Sequence, residues 1–591
     1  MIRNKKMSRR GSSLIDIIIG LGIIVLLFGG IYLVYFSLLN AISNIEARNA
    51  AAAVLHQQVE LIRNLPYASV GVQGGVPSGS LPAQQTVSYG RYSFTITTTI
   101  RNIDDPFDGT LGGIPNDTAP ADYKLVQFTV SCSACANFNP LNITTTVAPK
   151  GLESVSNQGS LFINVFDAFG VAVSAATAHV VNATVSPAID LTDVTNNSGT
   201  LQLAGVPTST QAYQISVSKA GYSSDRTYTI GDPQNPNPLK PHATVAEGTL
   251  TMISFAVDRV STLAVYSSSA TCVPVGNNTF SVTGSKLIGA NPNTVKFSTS
   301  TLLGSSASST FSNLEWDTYA LALTSSSYDL GGTIPLSPLV VNPNSSLSFR
   351  FVLQAKQPKS LLVSAVDSVS GAGIQGANIT LSGSGGFSRT LITGHGFWTD
   401  TDWSAGAFSS QAGMDATSTP GSVTLLAVAS STYSTSTVAS LVSNTIDVGS
   451  SNSTYFSLGW NPLSQPPQTG AGSLKFQIAA NNDNTTWNFV GPDGTSGTYY
   501  TSSSTLSGFN NNRYVRYKIF MSTQSSLATP RLDDVTLEFY GACVPTAQVL
   551  FQNLSAGTYT VDVTAAGYTE ATTSVSVAPD SQSVQMRLTP Q

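Results

Sequence analysis

The chain has 591 residues, only four cysteines and a formal net charge of −5. That length implies several domains, the cysteines are too few for a disulfide framework, and the charge balance offers no basic surface for nucleic acid. Only 10% of residues are charged, far below the roughly 25% of ordinary soluble domains, and Ser, Thr, Asn and Gly take their place, as in extracellular β-rich proteins.

The chain opens on a basic leader, with Arg3, Lys5, Lys6, Arg9 and Arg10 before Gly11. From Ile17 to Leu39 nothing is charged, about 23 residues, enough for one helical crossing of a bilayer. The run is too long for a secretory signal and lacks an A-x-A cleavage site. Basic residues before it put the N-terminus in the cytoplasm and everything after Ser43 outside. Asp16 stands at the mouth of the apolar run, where an ionised group is costly. Helical character continues past the membrane: no Pro occurs until Pro66, and Leu55, Val59 and Ile62 form a stripe with Glu60 and Arg63 off it. Residues 12–65 therefore read as one helix, roughly 80 Å long at 1.5 Å per residue, amphipathic in its outer half.

The leader, Gly11 and an acidic fifth residue after it resemble the type IV prepilin signal. The chain departs from that family in having Ser12 where Phe or Met is usual, and Asp rather than Glu at position 16. The resemblance implies removal of residues 1–11 by a prepilin peptidase between Gly11 and Ser12, methylation of the new N-terminus, and assembly with other pilin subunits in which Asp16 sets the register. It also implies a small β head, residues 66–150, against the distal helix. An uncleaved signal anchor is the competing interpretation.

The segments Tyr92–Ile100, Lys124–Cys132 and Leu141–Pro149 alternate with period two and are rich in β-branched residues, as strands of such a head should be. Asp104, Asp105, Asp108, Asp117 and Asp122 fall in one loop of it. Hard oxygen ligands there could hold a structural calcium ion, as in several pseudopilins; the alternative is a solvated acidic loop. Cys132 and Cys135 form a lone C-x-x-C, lacking the second pair a zinc site needs. Outside the cell they are candidates for a local disulfide, with free thiols as the alternative. Cys272 and Cys543 read by default as separate buried thiols, a bridge between modules being the other possibility.

Beyond residue 150 an internal repeat appears. YQISVSKAGY from Tyr213, YALALTSSSY from Tyr319 and YTVDVTAAGY from Tyr559 each set two Tyr nine residues apart around alternating apolar positions. The openings from Ile163 and Val363 match as well. The pattern resembles the carboxypeptidase-regulatory-like domain, a Cna-B- or transthyretin-like β-sandwich that is non-catalytic where it occurs. Short alternating strands with Gly/Asn turns and no helical period agree with packed antiparallel sheets. The paired Tyr would face opposite sides of a straight strand, so a bend or bulge is expected near Gly221 and Gly567. The copies are placed at 151–258, at 259–356 in divergent form, and at 357–397 continued by 543–591. The last is interrupted by residues 398–542, whose strands look like a jelly-roll β-sandwich of the discoidin or carbohydrate-binding type. In RYVRYKIF, Tyr514, Arg516 and Lys518 should share the face opposite Val515, Tyr517 and Ile519, a surface suited to a glycan or acidic polymer.

The fold expected is thus mainly β and multidomain: a long N-terminal helix with a pilin-like β head, tandem β-sandwiches, and an inserted jelly-roll-like sandwich in the last. With four His and no HExxH, GxSxG, P-loop or Rossmann fingerprint, no enzyme is expected. The expected function is a minor type IV pilin or pseudopilin-like subunit, held in the cytoplasmic membrane before assembly and displaying its sandwiches at the surface for adhesion or spacing. The rivals are a stationary single-pass surface protein that binds polysaccharide, and a type II secretion pseudopilin.

Overall fold

The computed structural model describes residues 14–117, 119–135, 138–149, 157–325, 327–404, 406–418, 421–503, 505–577 and 581–591. The fold is mainly β with one long helix at its N-terminal end. The chain forms two compact units, one running to Asp258 and including Ile288–Pro292, the other comprising Arg259–Leu287 and Asn293–Gln591.

In the first unit the helix Leu14–Arg63 is continuous over 50 residues. Between Ile18 and Ile45 its large apolar side chains are exposed on every side, and this part is long and apolar enough to cross a membrane. From Ala47 onward one face is buried: Ala47, Ala50, Ala51, Val54, Leu55, Val59 and Ile62 recur at three- and four-residue steps and pack on a four-stranded antiparallel meander. The strands are Gln84–Tyr89, Tyr92–Ile103, Tyr123–Ser131 and Leu141–Val147. Strand alternation turns Phe94, Ile96, Val126, Phe128 and Val130 toward the helix, and the alanines let helix and sheet approach closely. Gln84–Tyr89 is an addition to the strands read from sequence; its mostly exposed edge position leaves no apolar alternation to read.

The same unit holds a β-sandwich in which Gln158–Phe166 lies between Thr200–Pro207, antiparallel, and Leu250–Ala256, parallel. The facing sheet is centred on Thr177–Asn182 and Ser209–Ser218. The second unit repeats the scheme twice. Ser261–Ser268 lies between antiparallel Ser308–Leu314 and parallel Ser346–Ala355. Ser360–Asp367 lies between antiparallel Gln548–Gln552 and parallel Gln582–Leu588. Because first and last strands run parallel in each sandwich, the chain enters each at one end and leaves at the other.

The repeated tyrosines have a common task. Tyr213, Tyr319 and Tyr559 are buried, and their hydroxyls donate to the upstream carbonyls of Pro207, Glu315 and Ser555. Each phenol thus carries apolar burial and a satisfied polar tip into the core. The break before the second tyrosine is a turn beyond the strand rather than a bulge inside it. Ser209–Ser218 ends before Gly221, which adopts φ 76°, and Gly567 does the same at φ 81° after Gly557–Thr564; residues with a Cβ rarely take that conformation. The middle copy has no such glycine, and Tyr328 instead begins the next strand, Tyr328–Ile334.

Between the halves of the split sandwich, Gly396–Asp400 pairs with Asp534–Tyr540. The inserted segment therefore starts and finishes on neighbouring strands, which lets it emerge from one loop without parting the host. Its core is built around Trp460, Phe476, Tyr517 and Phe539.

Candidate functional site

Gly11 and Ser12 lie outside the described residues, as does the side chain of Asp16, whose backbone belongs to the helix Leu14–Arg63. The boundary between exposed and buried helix is marked by Glu46. It pairs with Arg91, and Tyr92 Oη donates to the Ser43 carbonyl at 3.3 Å. At the helix's far end Lys124 is only 6% exposed. Its Nζ donates to the carbonyls of Tyr67 (2.9 Å) and Val70 (2.6 Å) and lies 4.4 Å from the Tyr67 ring centre. Burial lowers its pKa to about 8. Lys124 thus ties the segment after the helix to the sheet, a role absent from the sequence reading.

The five aspartates of the head loop are not equivalent. Asp104 Oδ2 accepts from Leu111 N at 3.0 Å, Asp117 Oδ1 from Ala119 N at 2.7 Å, and an oxygen of Asp122 from Asp105 N. The other oxygens, Asp104 Oδ1, Asp117 Oδ2 and Asp122 Oδ1, are buried without a hydrogen-bond partner among the described residues. Burial first, then the charges of Asp117, Asp122 and Asp108, push the Asp104 carboxyl above the usual range against the Leu111 hydrogen bond. Asp108 is exposed. Among the described residues no three acidic, His or Cys side chains stand together as a formed metal cage. Orphaned buried carboxylate oxygens are nevertheless the chemistry a hard cation satisfies.

Cys132 and Cys135 are bonded to each other. Cys272 and Cys543 are also bonded, across 271 residues, which corrects the default reading of two separate buried thiols. The fold brings the turn after Ser261–Ser268 against the segment that follows the inserted sandwich, a juxtaposition with no local sequence signal.

On the inserted sandwich, strand Tyr514–Met521 alternates as read: Val515, Tyr517 and Ile519 are buried and the intervening residues are half-buried. The outward residues have neighbours within the chain. The Arg516 guanidinium lies 4.4 Å from the Trp487 ring and bonds Thr445 Oγ1 (2.9 Å) and Ser409 Oγ (3.1 Å). Lys518 Nζ stands 5.0 Å from the Phe520 ring, and Arg513 lies 5.1 Å from that of Tyr514. Trp487, from the loop after Leu474–Asn481, was not singled out from sequence; its place over Arg516 depends on how that loop folds back.

Two further polar clusters surfaced only in three dimensions. Asp329, 2% exposed, accepts from Gln357 N, Gln552 Nε2 and Ser581 Oγ at 2.7–3.1 Å, joining the second and third sandwiches. His395 stacks on Phe456 with centroids 3.6 Å apart, and its Nδ1 lies 2.8 Å from Glu538 Oε1. The His395 contact holds the Glu538 carboxyl below its ordinary pKa.

No family model and no curated protein matches the chain. Solved structures to which it is similar include the Bacillus anthracis TIE protein, with 11% identity and a TM-score of 0.16 over 86% of this chain and 73% of that one. Others are a streptococcal ancillary pilin, with 10% identity and a TM-score of 0.17 over 38% and 75%, and the shaft pilin SpaA of Lactobacillus rhamnosus GG, with 13% identity and a TM-score of 0.14 over 34% and 99%. At such TM-scores the likeness carries no argument about function.

Proposed function

We propose that the chain is a type IV pilin-like structural subunit, cleaved after Gly11 and built into a filament through its helix. The observation that carries this is the helix itself: an apolar first half exposed on every side, continuous with a second half packed on a β sheet. A bilayer satisfies the first half before assembly and neighbouring helices satisfy it afterwards. In this reading the N-terminus starts in the cytoplasm and the sandwiches lie outside, dividing near residues 65, 150, 258, 356, 397 and 542, where they serve as a spacer and as an adhesive surface. Cleavage frees the amine of Ser12, and Asp16 of an adjoining subunit neutralises it; either charge left alone among packed helices incurs a desolvation cost of several kcal/mol, roughly. Asp16→Ala should spare leader cleavage and membrane insertion but deplete the chain from sheared filaments. Equal amounts of variant and parent in that fraction would contradict the proposal.

For the head, we propose a structural calcium ion drawn to the orphaned oxygens of Asp104, Asp117 and Asp122, which do not stand together as a ligand set without it. The full chain should then melt higher with Ca²⁺ than with chelator, by mass action on the folded state, and Asp104→Asn with Asp117→Asn should remove the difference. Superimposable melting curves of the parent in the two conditions would assign the loop to solvation alone.

A further inference from the structure

The unit formed by Arg259–Leu287 and Asn293–Gln591 contains a cleft of about 550 Å³ where its second sandwich, split sandwich and inserted sandwich meet. One wall is the turn Ser269–Thr271, another the edge strand Ser388–Ile392, and a third the outer face of Gly396–Asp400 beside Asp534–Tyr540. The first wall is not free to swing away, because Cys272, the residue after Thr271, is bonded to Cys543.

Strand alternation gives the third wall its character. Trp398 packs toward the inserted core and Asp400 accepts from Tyr517 Oη, so Phe397 and Thr399 point the other way, into the cleft. Phe397 is 42% exposed, and beside it Thr399 and Thr536 place their hydroxyls 3.1 Å apart. An accessible aromatic ring flanked by hydroxyls is a platform for the apolar face of a sugar ring, with hydrogen-bonding groups at its edge. Across the cleft, Arg389 is the one charged side chain among the lining residues, and it has no carboxylate within ion-pair distance among the described residues. Among the described residues its one hydrogen bond is a long one, from Nη1 to the Gln552 carbonyl at 3.5 Å, and its guanidinium carbon lies 6.0 Å from the Phe551 ring centre, a contact that uses none of its N–H donors. Most of its planar fork of donors is therefore available, and that fork matches a carboxylate. Compare Arg516, whose guanidinium lies 4.4 Å from the Trp487 ring and is bonded to Thr445 and Ser409.

We propose that this cleft binds a uronic-acid unit of an acidic polysaccharide, the sugar ring over Phe397 and the carboxylate on Arg389. The proposal deepens the adhesive part of the reading above and rests on it only in taking the saccharide to belong to a surface polymer.

The test uses the full-length chain in detergent micelles, titrated by calorimetry with trigalacturonate and with its fully methyl-esterified, uncharged counterpart. Saturable binding of the acid is expected, weaker by roughly tenfold or more for the ester, the loss a missing charge-assisted contact produces. Arg389→Gln should weaken the acid to the level of the ester and leave the ester unchanged, whereas Phe397→Ala should weaken both; unaltered melting temperatures would show both variants folded. No saturable binding of trigalacturonate overturns the proposal. So does equal binding of acid and ester, or binding lost in Arg516→Ala but kept in Arg389→Gln; the last result leaves adhesion standing and moves it to another face. Failure of Asp16→Ala to deplete filaments would overturn the filament reading while leaving the cleft result untouched.

Discussion

The two halves of the long helix form one uninterrupted element, yet they obey different rules. Between Ile18 and Ile45 apolar side chains point in all directions and, among the described residues, pack on nothing outside the helix itself, where Tyr32 and Tyr35 meet Phe36; Leu26 is 78% exposed. Between Ala47 and Ile62 the buried apolar residues keep to one face, with only the large apolar side chain of Leu61 exposed off it, and that face is closed by the head sheet. A helix hydrophobic all round needs an apolar surrounding, whereas a helix with one stripe needs one neighbour. The comparison teaches that the head fixes only half of the helix and leaves the other half to whatever the protein inserts into or assembles with.

The two largest effects are of similar size and fall one in each half; the first comes from a charge in the unpartnered half. Leu27→Arg places a guanidinium near the middle of the span at a cost of about 2.5–3.5 kcal/mol by insertion scales, and should shift the protein from the membrane fraction while leaving the head's melting temperature as it was. Next, Ile62→Ala in the partnered half should destabilise the head by roughly 2–5 kcal/mol, through lost burial and the cavity left behind, with membrane insertion unchanged. If Ile24→Ala destabilised the head as much as Ile62→Ala, the division into two halves would fail.

A smaller, pH-dependent effect is expected at the clamp beyond the buried half. Lys124 has its pKa lowered to about 8 by burial, below the roughly 10.4 of an unfolded lysine. Between those values the unfolded chain binds more protons than the folded one, so stability rises with pH across that window and is flat below it. The head's melting temperature should climb from pH 8 to 10, and Lys124→Met should flatten that slope. The smallest effect belongs to the boundary: Arg91 and Glu46 pair with side chains 66% and 53% exposed, so Arg91→Ala should leave the midpoint of denaturant melts almost unmoved.

Much of this architecture was legible because it is periodic. Leu55, Val59 and Ile62 announced the packed face through helical spacing, and the tyrosine pairs announced the repeated sandwiches. The alanines at 47, 50 and 51 were not singled out, since Ala fits either face of a helix. Lys124 was overlooked although alternation contained the signal: it is in phase with Val126, Phe128 and Val130 and is buried with them. The Cys272–Cys543 bond, the Asp329 hub and the cleft that brings Arg389 and Phe397 together with Ser269–Thr271, Thr536 and Gln552 were illegible for a different reason. Each joins residues far apart in sequence, and no local pattern encodes how separately folded sandwiches dock. The acidic loop was visible as composition, but which oxygens would be left unpartnered depended on where the loop's backbone amides pointed.

The measurement closest to the central claim is the N-terminal peptide of the native protein, read by mass spectrometry. A chain built into filaments through its helix must first lose its leader, so the account predicts a peptide beginning at Ser12, with or without an N-methyl group. A peptide beginning at Met1, in protein recovered from the cell surface, would contradict it and make the helix a stationary anchor.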